Sequence, residues 1–300
     1  MRISDKTLHN NFLTNLNLTS QRLYEAENQV LTNKRITKPS DDPVDAYNIL
    51  SMRSKLSDIQ QYQRNIGQSR KLLETTEYSV EQLREVYDEL ISFAVQGASD
   101  TYGTRDLNII AGEVNQYLEQ VFNLANTRSD DRYIFAGTSN ESAPYQAVRD
   151  ENGNIVSVTS QGTEGDIMSV IGEKVSIKTN VNGKSLFEDG ENLFELAINV
   201  RDHILAEDIE ALREDLGRLN QASEDIYTIQ TTIGGKIKRI DSAEARADND
   251  KIYFEEFMNS IEEIDPTEAI MNYQLELMTL QNSMQAGSRI LQSSLIDFLR

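Results

Sequence analysis

Neither cysteine nor tryptophan occurs anywhere in the 300 residues. Without thiols there is no disulfide, no thiolate zinc site and no cysteine nucleophile. That suits a cytosolic protein, or an exported one that does without cross-links. Proline is nearly as scarce. There are four, Pro39, Pro43, Pro144 and Pro266, and two of them fall in one short stretch. Basic residues are outnumbered, with 29 Lys and Arg against 49 Asp and Glu, for a formal net charge of -20. This excess argues against nucleic acid and against an anionic membrane surface as partners, because phosphate-rich surfaces are bound by clustered Lys and Arg. Long apolar runs are also missing. Nothing approaches the ~18 consecutive apolar residues of a membrane span. The opening MRISDKTLHNNFLTNLNL has no unbroken apolar core of signal-peptide type, so export, if it occurs, is expected without a cleaved signal. Hydrophobic residues make up 38%, low enough that much polar surface stays exposed, as in an elongated protein.

What is present is helical periodicity. Residues 1–33 place Leu8, Phe12, Leu16, Leu23 and Val30 at helical spacing, diluted by Asn10, Asn11, Asn15, Asn17 and Asn28. Asparagine is a poor helix former, so this segment alone is expected to be marginal. Residues 44–143 contain no proline, and Met52, Ile59, Ile66, Leu73, Val80, Tyr87 and Ala94 recur every seventh residue. Leu56, Tyr62, Leu83, Leu90 and Ile91 thicken that seam. This is the pattern of a long amphipathic helix of coiled-coil character, about fifty residues and roughly 75 Å long. Leu107 to Ala125 reads as a further helix, and DDRYIFAGT as a turn into a different regime.

Between 136 and 190 the chain changes character. Six of the fifteen glycines fall between Gly153 and Gly190. NGNIVSV and VSIKTNVNG alternate, and Asn152-Gly153 and Asn182-Gly183 are tight-turn pairs. From 191 onward helix returns. Leu193, Phe194, Ala197, Val200 and Ile204 form one face, and Ile209, Leu212, Leu216 and Leu219 another. A long helix is expected over about 223–263, interrupted at Asp265-Pro266. Ile270, Leu277, Met284, Leu291 and Phe298 then repeat at seven-residue spacing, with Tyr273, Leu280 and Gly287 between them.

The expected fold is mainly α: an elongated, hairpin-like rod of long coiled-coil-like helices from both chain ends, with a small β-rich domain inserted at the tip. The expected segments are 1–42 (terminal helix plus linker), 43–135 (first half of the rod), 136–190 (β-rich insert), 191–264 (second half) and 265–300 (C-terminal helix). Apolar stripes on the middle helices are expected to form core. The two terminal stripes lack a local partner, and such segments order on binding. Candidate assembly contacts are therefore Leu8, Phe12, Leu16 and Leu23 at one end. At the other they are Ile270, Leu277, Leu280, Met284, Leu291, Leu295 and Phe298.

No chemistry-bearing constellation accompanies these helices. His9 and His203 sit in helical segments without metal-ligand spacing. DENGN, Asp150 to Asn154, lacks the alternating acids and later Glu of a calcium loop and reads as a hairpin turn. GTEGD and IGGK do not match a phosphate loop, and acidic runs such as FEEFMNSIEEID read as solvated faces. No catalytic residue, cofactor or metal site is expected.

The proline-bearing stretch, TNKRITKPSDDPVDAY from Thr32 to Tyr47, reads as a joint between helices. Asn33 tolerates a left-handed backbone at a helix end. Asp42 suits an N-cap, Pro43 the first helical position, and Asp45 the positive end of the dipole. Lys38, preceding Pro39, is pushed out of helical geometry, and an extended linker is expected between the two helices.

This same motif, carried by Lys34, Arg35, Ile36, Pro39, Ser40, Asp41, Asp42 and Pro43, resembles the N-terminal motif of the bacterial flagellin superfamily. It is most similar to the version in the hook–filament junction family; in flagellins the positions of Pro39 and Pro43 are more usually alanine. DDRYIFAGTSNESAPY (Asp130 to Tyr145) and the ending SRILQSSLIDFLR resemble the same family. Thr32-Asn33 stands where Ser-Gly is common. The resemblance implies a structural adaptor of the extracellular flagellum, exported unfolded through the flagellar type III channel. Its implied partners are the hook-side junction protein, flagellin, copies of itself in a ring, the export apparatus and an export chaperone. A flagellin filament subunit is the alternative, and a cytosolic coiled-coil scaffold a remoter one.

Overall fold

The computed structural model describes residues 2–99, 102–139, 141–162 and 164–298, with the side chains of 2–6, 8 and 289–298 left out. Seven helices and six short strands are found among them. They are α1 (Arg2–Thr32), α2 (Pro43–Gly97), α3 (Thr104–Ala125), β1 (Arg128–Ser129), β2 (Arg132–Tyr133), β3 (Tyr145–Arg149), β4 (Ile155–Ser160), β5 (Met168–Gly172), β6 (Val175–Lys178), α4 (Gly183–Phe187), α5 (Leu193–Ala206), α6 (Ile209–Glu262) and α7 (Pro266–Phe298). The chain is mainly α with a small sheet-containing region in its middle, as the periodicity implies. It divides into two compact units, Met1–Asp58 with Asn249–Arg300, and Ile59–Asp248.

In the unit Ile59–Asp248 the seven-residue seam of α2 is the core. Ile59, Ile66, Leu73, Val80, Tyr87 and Ala94 are all buried. Opposite runs a second seam on α6, Leu212, Leu219, Ile226, Ile233, Ile240 and Ala247, also buried and also every seventh residue. The helices are antiparallel. Arg70 pairs with Asp241 and Glu244, Gln63 bonds Asp248, and Gly97 lies against Leu212. Each fully buried Leu, Ile or Val contributes about 1.5–3 kcal/mol, whereas exposed ion pairs contribute ~0–1 kcal/mol, so the seams hold the pair together and the charges set its register. Helix α3 packs on α5, completing the helical layer. The Tyr87 hydroxyl, fully enclosed, donates to the Leu193 carbonyl at 2.5 Å, and burial pushes its pKa up.

Helix α6 begins at Ile209, earlier than the expected 223. The reversal before it is short: Glu207 takes a left-handed backbone (φ 56°) and the Asp208 carboxylate accepts from the Ala211 amide. Nothing breaks the helix between these residues and 223, so the two expected segments are one.

The sheet region is three separate antiparallel hairpins, β1–β2, β3–β4 and β5–β6. Asn152-Gly153 makes the expected turn; Gly153 has φ 87° and the Asp150 carboxylate accepts from the amides of Asn152 and Asn154. Asn182-Gly183 does not make a turn between strands. Asn182 instead precedes the short helix α4, and the β5–β6 turn passes through Lys174 at φ 57°. Asn65, more than thirty residues before the end of α2, donates to the Val170 carbonyl of β5 at 2.8 Å. Phe135, Tyr145, Phe187 and Phe194 form an aromatic cluster under the hairpins. The buried Arg201 of α5 donates to the Ile155 carbonyl (2.7 Å) and to Asn115 Oδ1 (3.1 Å), tying β4 to α3. Gly137 cannot be replaced without strain: φ is 56°, and an added Cβ would lie 2.0 Å from the Glu164 carbonyl oxygen.

In the other unit α1 packs on α7. The helices meet so closely at Gly287 that an added Cβ would lie 2.0 Å from the tip of the Phe12 ring. Gly287→Ala is therefore expected to displace Phe12 and loosen the α1–α7 pair by about 1–3 kcal/mol, the usual cost of overpacking. Limited proteolysis should show faster cleavage within α1 and α7, with cleavage of Ile59–Asp248 unchanged.

Candidate assembly surface and its joint

The joint after α1 folds back on the joint before α7. Asn33 takes the left-handed backbone (φ 56°) that ends α1. Its carbonyl accepts from the Ile264 amide at 3.3 Å, and the Arg35 amide donates to the Glu262 carbonyl at 2.7 Å. The two chain-end breaks are thus paired antiparallel. At their centre is the Glu262 carboxylate, 7% exposed, whose Oε1 accepts from Lys34 Nζ and Arg53 Nη2, both at 2.7 Å. Arg35 donates to Asp45 Oδ2 at 2.6 Å and to the Ile261 carbonyl at 3.2 Å. Ile36 is buried with Ala46 and Ile49, against Met258 and Ile261. Lys34 and Arg35 therefore neutralise acids of the joint, while Lys38 lies over the Tyr24 ring, 6.0 Å from its centroid.

The linker is a turn, not an extended strand. The Asp41 amide donates to the Lys38 carbonyl (3.0 Å), and the Asp41 carboxylate accepts from the amides of Lys38 (2.9 Å) and Thr37 (3.0 Å). Pro39 presets the second position of such a turn. The Lys38 amide beside Asp41 holds its carboxyl below the usual range. Asp42 caps α2 as expected, accepting from the amides of Val44 and Asp45, both at 3.1 Å. Asp265-Pro266 repeats the device. Its carboxylate accepts from the Thr267 amide at 2.7 Å, and that bond likewise holds its carboxyl low.

Apolar exposure is concentrated in this unit. Of the twenty-five exposed large apolar side chains among the described residues, fifteen lie in Met1–Asp58 and Asn249–Arg300, little more than a third of the chain. Phe12, Leu16 and Leu23 are half-buried on the stripe of α1 that packs on α7, and Leu277 and Leu280 are half-buried on α7. Ile270 and Met284 are exposed. Leu8, Leu291, Leu295 and Phe298 lie outside the described side chains. Sequence reasoning missed the outer faces. Met271, Leu275 and Met278, spaced i, i+4, i+7, point away from the α1 side of α7 and are about 60% exposed. Val44, Tyr47 and Leu50 form a similar open stripe on α2, and Leu13, Tyr24 and Leu31 one on α1. Their signal was a second helical stripe, offset from the seven-residue one.

Elsewhere, His9 is exposed on α1, and His203 is bonded through Nδ1 to Asp215 at 2.6 Å in the other unit. Among the described residues no group of three or more His, Asp or Glu is placed to hold a metal ion, and no helix is long and apolar enough to cross a membrane.

The two terminal helices α1 and α7 thus pack into one helical unit whose outer faces carry exposed apolar side chains. The bacterial flagellin N-terminal helical region matches residues 3–140 and the C-terminal helical region matches residues 216–299, together most of the sequence. The chain belongs to the bacterial flagellin family. It is 24% identical over 320 residues to flagellar hook-associated protein 3 of Salmonella typhimurium, with both chains covered entirely. It is 28% identical over 127 residues to a flagellin of Clostridium tyrobutyricum, a match to 42% of this chain and only 34% of that one. The crystal structure of Bacillus cereus FlgL is similar in fold, with a TM-score of 0.58 at 23% identity over 70% of this chain and 99% of that one.

Two results are expected at the joint. Glu262→Ala leaves Lys34 and Arg53 without their shared acceptor. Both cations are about half exposed, so solvent screens the loss, and urea unfolding should show a destabilisation of about 1–2 kcal/mol. The amides of Lys38 and Thr267 hold the Asp41 and Asp265 carboxyls below their ordinary values. Their contribution is present above the unfolded value and lost as pH falls through the lower folded one. Exchange protection of the Arg35 and Ile264 amides should therefore fall below about pH 4, and Asp41→Asn should flatten that dependence.

Proposed function

We propose that this chain is a hook-associated protein 3, FlgL: a structural adaptor at the junction between the flagellar hook side and the flagellin filament. The observation that carries the reading is the end-to-end likeness to a flagellar hook-associated protein 3, against a flagellin likeness confined to a third of that flagellin. A filament subunit is the alternative it disfavours; family membership sets aside a cytosolic scaffold.

In this reading the role is structural, with no catalytic step. Copies form a ring, contacting the hook-side junction protein on one side and flagellin on the other, after export to the cell exterior by the flagellar apparatus with a chaperone. The segments 1–42 and 265–300 form the inner layer, 43–135 and 191–264 the next, and 136–190 the outer insert. The open stripes of α1, α2 and α7 supply the contacts. Burying apolar area at ~25 cal/mol per Å² favours such contacts at every copy.

Deletion of the gene should leave hooks in place and release flagellin into the medium; attached filaments of normal length in that strain would sink the proposal. Leu275→Asp, in the open stripe of α7, should fold and be exported but fail to restore filaments. Electron microscopy of complemented cells decides it.

A further inference from the structure

One level of the α2–α6 pair is built weakly. Beside the α2 seam, Ser69 and Thr76 are buried in the register that carries Leu83 and Leu90 further along, and Ser79 is buried in the register that carries Val86. Their hydroxyls donate back to the carbonyls of Asn65, Leu72 and Thr75, a kind of bond that slightly destabilises a helix. On the solvent side of α6, the exposed Thr228, Thr231 and Thr232 bond back in the same way to the carbonyls of Glu224, Tyr227 and Thr228. Gly234 and Gly235 follow directly. A Cβ at Gly235 would meet nothing within 4 Å, and one at Gly234 only the Glu77 carboxylate at 3.9 Å. Packing requires neither glycine, and each lowers the local helix equilibrium roughly four- to five-fold relative to alanine.

The β5–β6 hairpin is tied to both helices beside this level. Asn65 of α2 donates to the Val170 carbonyl at 2.8 Å, Lys236 of α6 to the Asn180 carbonyl at 3.2 Å, and Arg239 to the Ser176 carbonyl at 3.3 Å. All three donors are helix side chains and all three acceptors are backbone of the hairpin or its exit. The acceptor side is fixed in turn. Buried Asn180 donates to the Gly165 carbonyl and accepts from the Ile167 amide, both at 2.8 Å. The Lys236 ammonium is partly desolvated, and burial pushes its pKa down.

We infer that the β5–β6 hairpin is a strap that holds this hydroxyl- and glycine-weakened level of α2 and α6 closed, and that its release lets the helix pair open and bend there. The inserted hairpin then has a task within the subunit, independent of the flagellar role: it sets the stiffness of the long helices at one point along their length.

Hydrogen exchange followed by mass spectrometry on the purified full chain tests it. Lys236→Met with Arg239→Met should speed exchange in 228–239 by about tenfold, two lost bonds at the low end of their worth, and leave 212–226 unchanged. Gly234→Ala with Gly235→Ala should slow exchange in 228–239 by roughly twenty-fold, and adding it to the first pair should return protection toward that of the native chain. Unchanged exchange over 228–239 in the methionine variant, or equal acceleration all along α6, overturns the inference. Should that variant fail to fold, the alanine variant alone decides: no slowing over 228–239 overturns it.

Discussion

Two helix breaks lie side by side in this chain, and the terminal unit depends on their pairing. Each break uses an Asp-Pro pair to start the helix that follows, at Asp42-Pro43 and Asp265-Pro266. Backbone bonds between 33–35 and 262–264 set the breaks in register, and the Glu262 carboxylate collects a cation from each of two segments. Burying an acid is costly unless it is paired. Once Lys34 and Arg53 satisfy Glu262, moving either joint alone would strand a charge. The joints consequently fix where α1 ends and where α7 begins.

Much of this was legible in the sequence, for reasons that differ by element. The α2 seam could be read because its apolar residues return every seventh position through a stretch without proline. The matching α6 seam was harder. Ile226, Ile233 and Ile240 keep the same spacing, but they are embedded among threonines and glycines that lower local helix propensity. Asn182-Gly183 misled because an Asn-Gly pair signals backbone freedom without saying whether a strand or a helix follows. The linker was misread because the rule for the residue before proline says nothing of the Asp41 carboxylate, which gathers two amides and folds the segment into a turn.

The candidate contacts show the same division between pattern and placement. A seven-residue stripe marks a face that must be covered, not what covers it. Phe12, Leu16 and Leu23 lie on the stripe that meets α7 of the same chain, so that stripe is in part internal. The residues left open, such as Met271, Leu275 and Met278, lie on the far side and become conspicuous only once the inner face is known. In the proposed adaptor role methionine there suits a surface that meets more than one kind of neighbour, since its unbranched thioether adapts to irregular partners.

Charge and apolar surface are distributed oppositely, and this bears on how copies could approach. The terminal unit carries 11 basic and 16 acidic residues, a net of -5, and Ile59–Asp248 carries 18 and 33, a net of -15. Per residue the acid excess is nearly twice as dense in the unit with less exposed apolar surface. Like charge keeps apolar patches of separate monomers apart where it is dense, and at physiological salt it acts over only about 8 Å. Per residue, charge repulsion between copies is therefore weaker over the terminal unit than over Ile59–Asp248.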